Sequence, residues 1–346
     1  MIKVMSRKNI VPLLTIAIPT FNRSDFLRTN LAQLNNQTKS CSRDTVELLV
    51  SDNASEDATE YIVKSAQKSG MIINYVKNAN NIGSDANIAQ CFNMARGRYV
   101  LILGDDDLLI DGLLALLLKH LEGQRYGVVF LKPYGYNHDF RKENPGGGGY
   151  KIYNSSEKFI EQLAHLITLI SACVINKDLL KGVDAMKFCG SNLVQVDLAL
   201  SASLKAKENL FISSYSVACK RNNSGGYDFE KVFVTNFFSI LDSYQAVGLS
   251  KNTIGKIENR LIVSFFPQYL FKQRREDGKV SKSIFKTFDN RFGNKLLFKI
   301  YLVPILLWPR FAALIWGAIV TLIGRVYAGD IRRGVFFVID KIRYKS

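Results

Sequence analysis

Four short apolar runs recur at a regular interval in the first hundred or so residues, and their spacing limits the fold more than any other feature. They occupy residues 13–19, 46–51, 72–76 and 99–103, and are dominated by aliphatic, β-branched and aromatic side chains. Each is too short for a helix and reads as a strand. Between them lie polar turns and stretches of helical periodicity, over residues 24–35, 58–69 and from the turn at 77–83 to about Arg96. Ser24 or Asp25 can cap the first of these helices. Strand alternating with helix at this spacing predicts βαβ units and an α/β fold with a mostly parallel sheet. Ligands bind such sheets beyond the carboxyl ends of the strands. Residues 19–23, 52–57, 80–83 and 104–107 all fall at those ends, so they are expected to converge on one edge.

The fourth run stops at Gly104, and Asp105, Asp106 and Asp107 follow at once. Three adjacent anions repel one another, and an isolated fold gains nothing from crowding them at a strand end. A divalent cation such as Mg²⁺ or Mn²⁺ reverses that balance, since it takes one or two carboxylates together with phosphate oxygens. The same residues also read as an acidic turn capping a helix over 108–121. Farther along, strands are expected at 127–131, 170–175 and 210–218, with helices over 157–169 and from Asp197 to about Ala206. The loop at 134–149 ends in four consecutive glycines, Gly146 to Gly149, and reads as a mobile lid or as a plain surface loop. From Phe229 onward the pattern is helical, which divides the chain into residues 1–230 and a helical region at 231–346.

Charge sets that last region apart. The net charge is +16, and residues 248–346 hold 19 Lys and Arg against 6 Asp and Glu. This excess calls for an acidic partner, a nucleic acid or an anionic membrane. The same third holds the most apolar stretch of the chain, which favours the membrane and argues against nucleic acid. Residues 296–327 are apolar but broken by Lys299, Pro304, Pro309 and Arg310, leaving 14 uncharged residues at 311–324. A spanning helix needs about 20. Trp308 and Trp316, flanked by Lys272, Arg274, Arg275, Arg325, Arg332 and Arg333, fit an interfacial anchor. The competing reading is a buried helical hairpin or a dimer interface, the latter making the chain a homo-oligomer. Five scattered cysteines without a CxxC pair suit reduced thiols in the cytosol. His120, His138 and His165 are too far apart in sequence to suggest a metal triad. Residues 1–9 show no apolar leader, so no signal peptide is expected.

Together these elements resemble a family 2 glycosyltransferase with the GT-A fold. The resemblance rests on Ile16-Ala-Ile-Pro-Thr-Phe-Asn-Arg23, Val50-Ser-Asp-Asn-Ala-Ser-Glu-Asp57, Asn80-Asn-Ile-Gly83 with Asn87, and Leu103-Gly-Asp-Asp-Asp-Leu108. These four motifs stand in the family's order, and the resemblance covers about residues 13–220. Gly-Asp-Asp-Asp, with Asn223-Ser-Gly-Gly-Tyr227, is similar to the abequosyltransferase-like enzymes that build bacterial surface polysaccharide.

The resemblance implies a nucleoside-diphosphate-sugar donor and gives each motif a role. The backbone of Pro19 and Thr20 would flank the base and ribose, with Asn22 in the same turn, and Arg23 would reach a phosphate. Asp52 matches the acid that hydrogen-bonds the base, and Asn81 and Gly83 match the loop beside the nucleotide. Read without the family, Arg23 is a solvated arginine, Asp52 closes an Asx turn with Asn53 and Ser55, and Asn80 or Asn81 caps a helix. Arg96 or Arg98 would face the pyrophosphate or simply carry helix C-terminal charge. The family motif is Asp-x-Asp-Asp, and Gly104 stands where its first acid lies. Asp107 then becomes the expected ligand of the divalent cation, Mn²⁺ or Mg²⁺, with Asp105 beside it and Asp106 at the donor. Asp197 in Leu193-Val-Gln-Val-Asp-Leu-Ala-Leu200 matches the general base of inverting transfer, although the family often shows Glu-Asp where this chain has Val196-Asp197. Asp197 also reads as a helix cap.

The expectation is a metal-dependent inverting glycosyltransferase acting on a saccharide acceptor, lipid-linked as is usual in such relatives, in surface polysaccharide or O-antigen synthesis. It would sit as a peripheral protein on the cytoplasmic face of a bacterial plasma membrane. A sugar nucleotidyltransferase would want a Gly-rich basic loop after the first strand, which Thr20-Phe-Asn-Arg-Ser lacks. The non-enzymatic alternative is a membrane-bound assembly protein with a degenerate transferase domain.

Overall fold

The computed structural model describes residues 11–39, 41–42, 44–221, 226–277 and 282–328. The leader reading at 1–9, Arg332, Arg333 and most of the Asn223 to Tyr227 motif lie outside them. The chain divides into two compact units, Met1–Phe159 with Ile167–Asn223, and Ile160–Leu166 with Ser224–Ser346.

The first unit opens with β1 (Leu14–Thr20), α1 (Ser24–Thr38), β2 (Val46–Asp52), α2 (Thr59–Lys68), β3 (Ile73–Lys77), α3 (Ser84–Met94) and β4 (Tyr99–Ile102). It continues through β5 (Asp107–Leu109), α4 (Leu113–Leu121), β6 (Val128–Tyr136), β7 (Tyr150–Tyr153), the first half of α5 (Ser156–Leu163), whose residues from Ile160 belong to the second unit, β8 (Cys173–Asn176), α6 (Val194–Lys205) and β9 (Asn209–Lys220). The nine strands form one mixed sheet in the order β3-β2-β1-β4-β8-β6-β9-β5, with β7 on β9. The half that carries the strand–helix alternation, β3-β2-β1-β4, is parallel throughout. Ile16 and Ile18 of β1, Leu48 and Val50 of β2 and Tyr99 and Leu101 of β4 share one apolar core with Leu27, Leu31 and Leu34 of α1. The last three recur at the four- and three-residue steps of one helical face, which is why this segment packs as a helix on the sheet.

Three sequence expectations change. The helix expected over 108–121 starts only at Leu113, because residues 107–109 pair antiparallel with Cys219, Ala218 and Val217 of β9, and Gly112 turns at φ 78°. Sheet pairing outweighs helix propensity here because Leu108 and Leu109 are buried on the strand. The loop expected over 134–149 is strand at its start, and Tyr150–Tyr153 adds an edge strand beyond it. The helix expected over 157–169 ends at Leu163, where Ala164 takes φ 48°.

The opposite end of the parallel half is stapled by one buried carboxylate. Glu47 accepts from the Thr15 hydroxyl at 2.7 Å, from Arg96 N at 2.9 Å and from Arg96 Nε at 2.6 Å. Gly97 N donates to the same Thr15 hydroxyl, and a Cβ at Gly97 would stand 2.5 Å from Thr15 N. Arg96 and Arg98 therefore sit at the amino ends of the strands, away from the edge that the four motif loops occupy.

The second unit contains α7 (Phe237–Ser243), α8 (Lys251–Ser264), α9 (Phe266–Asp277), α10 (Lys282–Phe292), α11 (Leu296–Tyr301), α12 (Val303–Leu307) and α13 (Arg310–Tyr327). Phe266 meets Phe288 at 5.1 Å and Phe292 at 5.6 Å between ring centres, and Phe238 meets Phe292 at 5.4 Å. Such edge-to-face and tilted pairs fill this core. Gly317 and Gly324 let α13 lie close to its neighbours, since a Cβ there would fall 2.8 Å from the Phe271 ring and 2.5 Å from the Val263 carbonyl. Arg274, expected as an interfacial cation, is buried and donates to the Trp308 carbonyl at 2.6 Å.

Glu47→Ala strands a hydroxyl and a backbone N–H in a buried setting, so it should lower unfolding free energy by about 1–3 kcal/mol. Chemical denaturation measures this, and a loss below about 0.5 kcal/mol would contradict the staple.

Candidate active site

The acid loop is held from below by a helix. Asn30, Gln33 and Gln37 lie on the buried face of α1 among its leucines. Asn30 Nδ2 donates to the carbonyls of Gly104 at 3.1 Å and Asp107 at 2.7 Å. Gln33 and Gln37 both donate to the Leu109 carbonyl, at 2.9 and 3.1 Å. Buried amides on an otherwise apolar stripe are justified only when such partners exist. They satisfy the backbone that leaves β4 and enters β5, and so fix where the three acids start.

Ser171 completes the frame. Its hydroxyl accepts from Gly104 N at 2.9 Å and donates to the Asp107 carboxylate. A Cβ at position 104 would lie 3.2 Å from both Asp106 Oδ1 and Asp107 Oδ2. A fourth carboxylate there would add charge and bulk where two acids already crowd, which gives a physical reason for glycine at this departure from the family pattern.

Burial dominates the electrostatics. Asp105 and Asp107 are 3% and 5% exposed. Burial pushes the Asp107 carboxyl up to about 7, the neighbouring Asp106 adds to the rise, and the Ser171 hydrogen bond offsets part of it. Asp105 is pushed up to about 6 by burial, against the pull of Arg23 and the Thr20 hydroxyl. Thr20 donates to Asp105 Oδ2 at 2.8 Å. Arg23 does not stand free in solvent: its guanidinium pairs with both Asp105 and Asp106 at 3.0 Å. Tyr136, held up at about 12 chiefly by burial, feels Asp107 and Asp106 as well.

The other motif loops meet on the same edge. Asn53 N donates to the Thr20 carbonyl at 2.9 Å, just beyond Pro19. Asn22, at φ 53°, donates its N–H to Ser55 Oγ and accepts from Glu56 N. Asn53 Nδ2 donates to Asn81 Oδ1 at 2.8 Å and to the Gly83 carbonyl at 3.3 Å. Gly83 takes φ 86° ahead of α3, a backbone setting that glycine enters without strain. Asp52 is fully buried, with Oδ1 accepting from Ser55 N at 2.8 Å and Oδ2 from the Tyr75 hydroxyl at 2.6 Å. The local turn with Ser55 is thus present, and any ligand contact with Asp52 requires this turn or Tyr75 to move.

Asp197 lies in the first turn of α6, 8% exposed. Two tethers place the start of that helix. Asp85, in the first turn of α3, accepts from Gly190 N at 2.7 Å and Asn192 N at 2.9 Å. Gln195 Nε2 donates to the Thr168 carbonyl at 2.6 Å, three residues before Ser171. Hydrogen bonds therefore link the helix bearing Asp197 to both the Asn80–Gly83 side and the acid-loop side. Asn30, Gln33, Gln37, Tyr75, Asp85 and Ser171 were not singled out from sequence. The α1 amides had a legible signal, polar residues at helical spacing on a leucine stripe; Ser171 had none, because its role exists only once residues 104 and 171 meet in space.

Residues 15–183 match the family described as "Glycosyl transferase family 2". The chain is 36% identical over 113 residues to "Abequosyltransferase RfbV" of Salmonella typhimurium, covering 32% of this chain and 33% of that protein. It is 34% identical over 121 residues to "GalNAc(5)-diNAcBac-PP-undecaprenol beta-1,3-glucosyltransferase" of Campylobacter jejuni, covering 35% of this chain and 38% of that one. The matched region is thus about a third of either relative's length. Among solved structures, TarS 1–349 of S. aureus in complex with UDP-GlcNAc superimposes with a TM-score of 0.58 at 16% identity, covering 91% of this chain and 92% of that one. A mannosyltransferase of Pyrobaculum calidifontis in complex with GDP-Man and Mn²⁺ gives 0.52 at 17% identity, covering 90% and 87%. At these identities the structural likeness speaks for the GT-A fold alone.

An acid whose folded pKa exceeds its unfolded value destabilises the fold when ionised. Asp107 therefore opposes stability above about pH 7, and its penalty fades as pH falls toward its ordinary carboxylate range. Asp107→Asn should raise Tm at pH 8 and flatten the rise in stability that wild type shows between pH 8 and pH 5. Calorimetry across that range measures this; parallel curves for the two proteins would contradict it.

Proposed function

We propose that this chain, whose residues 15–183 match glycosyl transferase family 2, moves a sugar from a nucleoside diphosphate to a saccharide acceptor with inversion. The observation that carries the reading is the convergence of Thr20, Arg23 and the Asp105 to Asp107 loop at the carboxyl end of β1 and β4. Pro19, Thr20, Asn22, Asp52, Asn81 and Gly83 would line the nucleotide side, and Arg23 would hold a phosphate through its planar fork.

The acid loop suits a divalent cation. Two of its carboxylates are buried strongly enough to raise their proton affinity, and among the described residues Asp105 Oδ1 is buried without a hydrogen bond, facing the Arg23 guanidinium. Among the described residues no three Asp, Glu, His or Cys side chains form a metal cage. Mn²⁺ or Mg²⁺ would accordingly be held by one or two carboxylates, with Asp107 and Asp105 the proposed ligands and donor phosphates completing the shell. When bound, the cation supplies charge stabilisation for the departing diphosphate.

The chain's own groups do the rest. Asp197 accepts the proton of the acceptor hydroxyl as that oxygen attacks the anomeric carbon, and the nucleoside diphosphate leaves from the opposite face. Release of nucleotide from UDP-, GDP-, CDP- and dTDP-sugars, with Mn²⁺ or with EDTA, tests the whole reading. Asp197→Asn should lower transfer at least about a hundredfold while leaving donor binding intact, the usual signature of a lost general base. Full transfer by that variant would refute its role. Nucleotide release in EDTA equal to that in Mn²⁺ would refute metal dependence.

We further propose a lipid-linked acceptor in polysaccharide or O-antigen synthesis, and peripheral attachment to the cytoplasmic face of a bacterial membrane. Support comes from α13, which spans about 27 Å and is the one described helix long and apolar enough to cross a membrane. Phe311, Ile315, Ile319, Leu322 and Val326 form an exposed stripe along it, with Phe311 79% exposed, while Ala313, Gly317, Val320 and Gly324 face inward. A helix with one face bound to its own unit and the other apolar and open is suited to lie in the interface, with basic residues drawing it to anionic lipid. Full-length protein should float with anionic liposomes at low salt, and Ile315→Glu with Ile319→Glu should abolish flotation without changing Tm. Undiminished flotation of the double variant would rule out the stripe.

A further inference from the structure

Arg23 spans two acids at once. Its Nη1 is 3.0 Å from Asp105 Oδ1 and its Nη2 is 3.0 Å from Asp106 Oδ2. Asp105 Oδ1 accepts no hydrogen bond, so this ion pair is what balances it. The arginine lies at the start of α1, with its guanidinium 4.9 Å from the centre of the Phe26 ring. Its side chain is 33% exposed. One end of a long cation thus rests in the acid loop while its flank stays open to solvent.

An oxygen already facing a guanidinium cannot also face a divalent cation at coordination distance without the two charges repelling. Withdrawing Arg23 without a replacement would in turn leave the buried Asp105 carboxylate without its counter-charge, which is strongly unfavourable. A diphosphate offers the guanidinium an equally good bidentate partner. Because arginine remains charged at every accessible pH, its own titration does not decide which partner it holds.

We propose that Arg23, paired with Asp105 and Asp106, is a resident counter-cation that competes with a divalent metal for Asp105, and that donor phosphates draw it off these carboxylates. This deepens the metal-dependent reading above and rests on it. Metal and nucleotide then bind with positive coupling, each raising the affinity for the other. In the absence of nucleotide Arg23 holds the metal affinity down. Arg23 acts here as a positioning residue, setting the order in which charge is assembled at the site.

The test is Mn²⁺ binding followed by electron paramagnetic resonance on the full chain, with and without UDP, GDP, CDP or dTDP. Arg23→Met, uncharged and of similar reach, should bind Mn²⁺ about tenfold tighter than wild type without nucleotide, within the usual range of coupling. Its enhancement by nucleotide should shrink by about the same tenfold, leaving only what direct phosphate coordination supplies. Arg23→Lys keeps a competing charge and should retain the wild-type pattern, which a purely structural arginine would not predict. Equal or weaker Mn²⁺ binding by nucleotide-free Arg23→Met overturns the proposal while leaving the metal reading intact. Absence of Mn²⁺ binding in all three proteins, with every nucleotide, overturns the metal reading and the proposal together.

Discussion

The first unit depends on how it holds three consecutive carboxylates at the end of β4. Two of them are buried, and burial alone would favour their protonation or their expulsion to solvent. Their proton affinity rises accordingly, but they are not expelled, because the surrounding backbone is fixed independently of the charges. Asn30 grips the carbonyls of Gly104 and Asp107, Gln33 and Gln37 grip that of Leu109, and Ser171 links Gly104 N to the Asp107 carboxylate. With neutral amides and one hydroxyl bearing the structural load, the charge of the acids is met separately, by Arg23 at Asp105 and Asp106. The fold tolerates this cost because the parallel half of the sheet is anchored at its far end by the Glu47 cluster and along its length by an apolar core.

Much of this could be read from sequence because it follows local rules. The four strands of the parallel half lie within a residue or so of the expected runs, because each run is dominated by the aliphatic, β-branched and aromatic side chains that favour strands, although β1 passes through Pro19 and β2 takes in Asp52. The convergence of the four motif loops follows from strand direction in a βαβ unit, which one chain segment determines at a time. The departures all involve partners distant in sequence. Residues 107–109 carry helix-compatible leucines, yet they pair with β9, more than a hundred residues away. Ser171 and Asp85 owe their functions to neighbours 67 and 105 residues distant. Arg23 was read as facing a phosphate, and its pairing with Asp105 and Asp106 depends on two loops whose separation in space no periodicity reports.

The second unit shows the same division. Its helical character and basic excess were plain from composition and spacing. The role of individual residues was not: Arg274 resembles its basic neighbours in sequence, yet it is buried against the Trp308 carbonyl. The small residues at 313, 317 and 324 are equally silent until the helix is packed, when they explain why α13 turns its bulky side chains outward. An apolar helix is thereby given two unlike faces, one packed and one exposed.

The central claim is that the loops at the carboxyl ends of β1, β2, β3 and β4 form one donor site around the acids. Hydrogen–deuterium exchange on the full chain, with and without a nucleoside-diphosphate sugar and Mn²⁺, addresses it most directly. The account predicts slowed exchange in residues 19–24, 52–57, 80–83 and 104–107 together, with the strands between them unchanged. Protection confined to another surface, or to one of these loops without the rest, would contradict it.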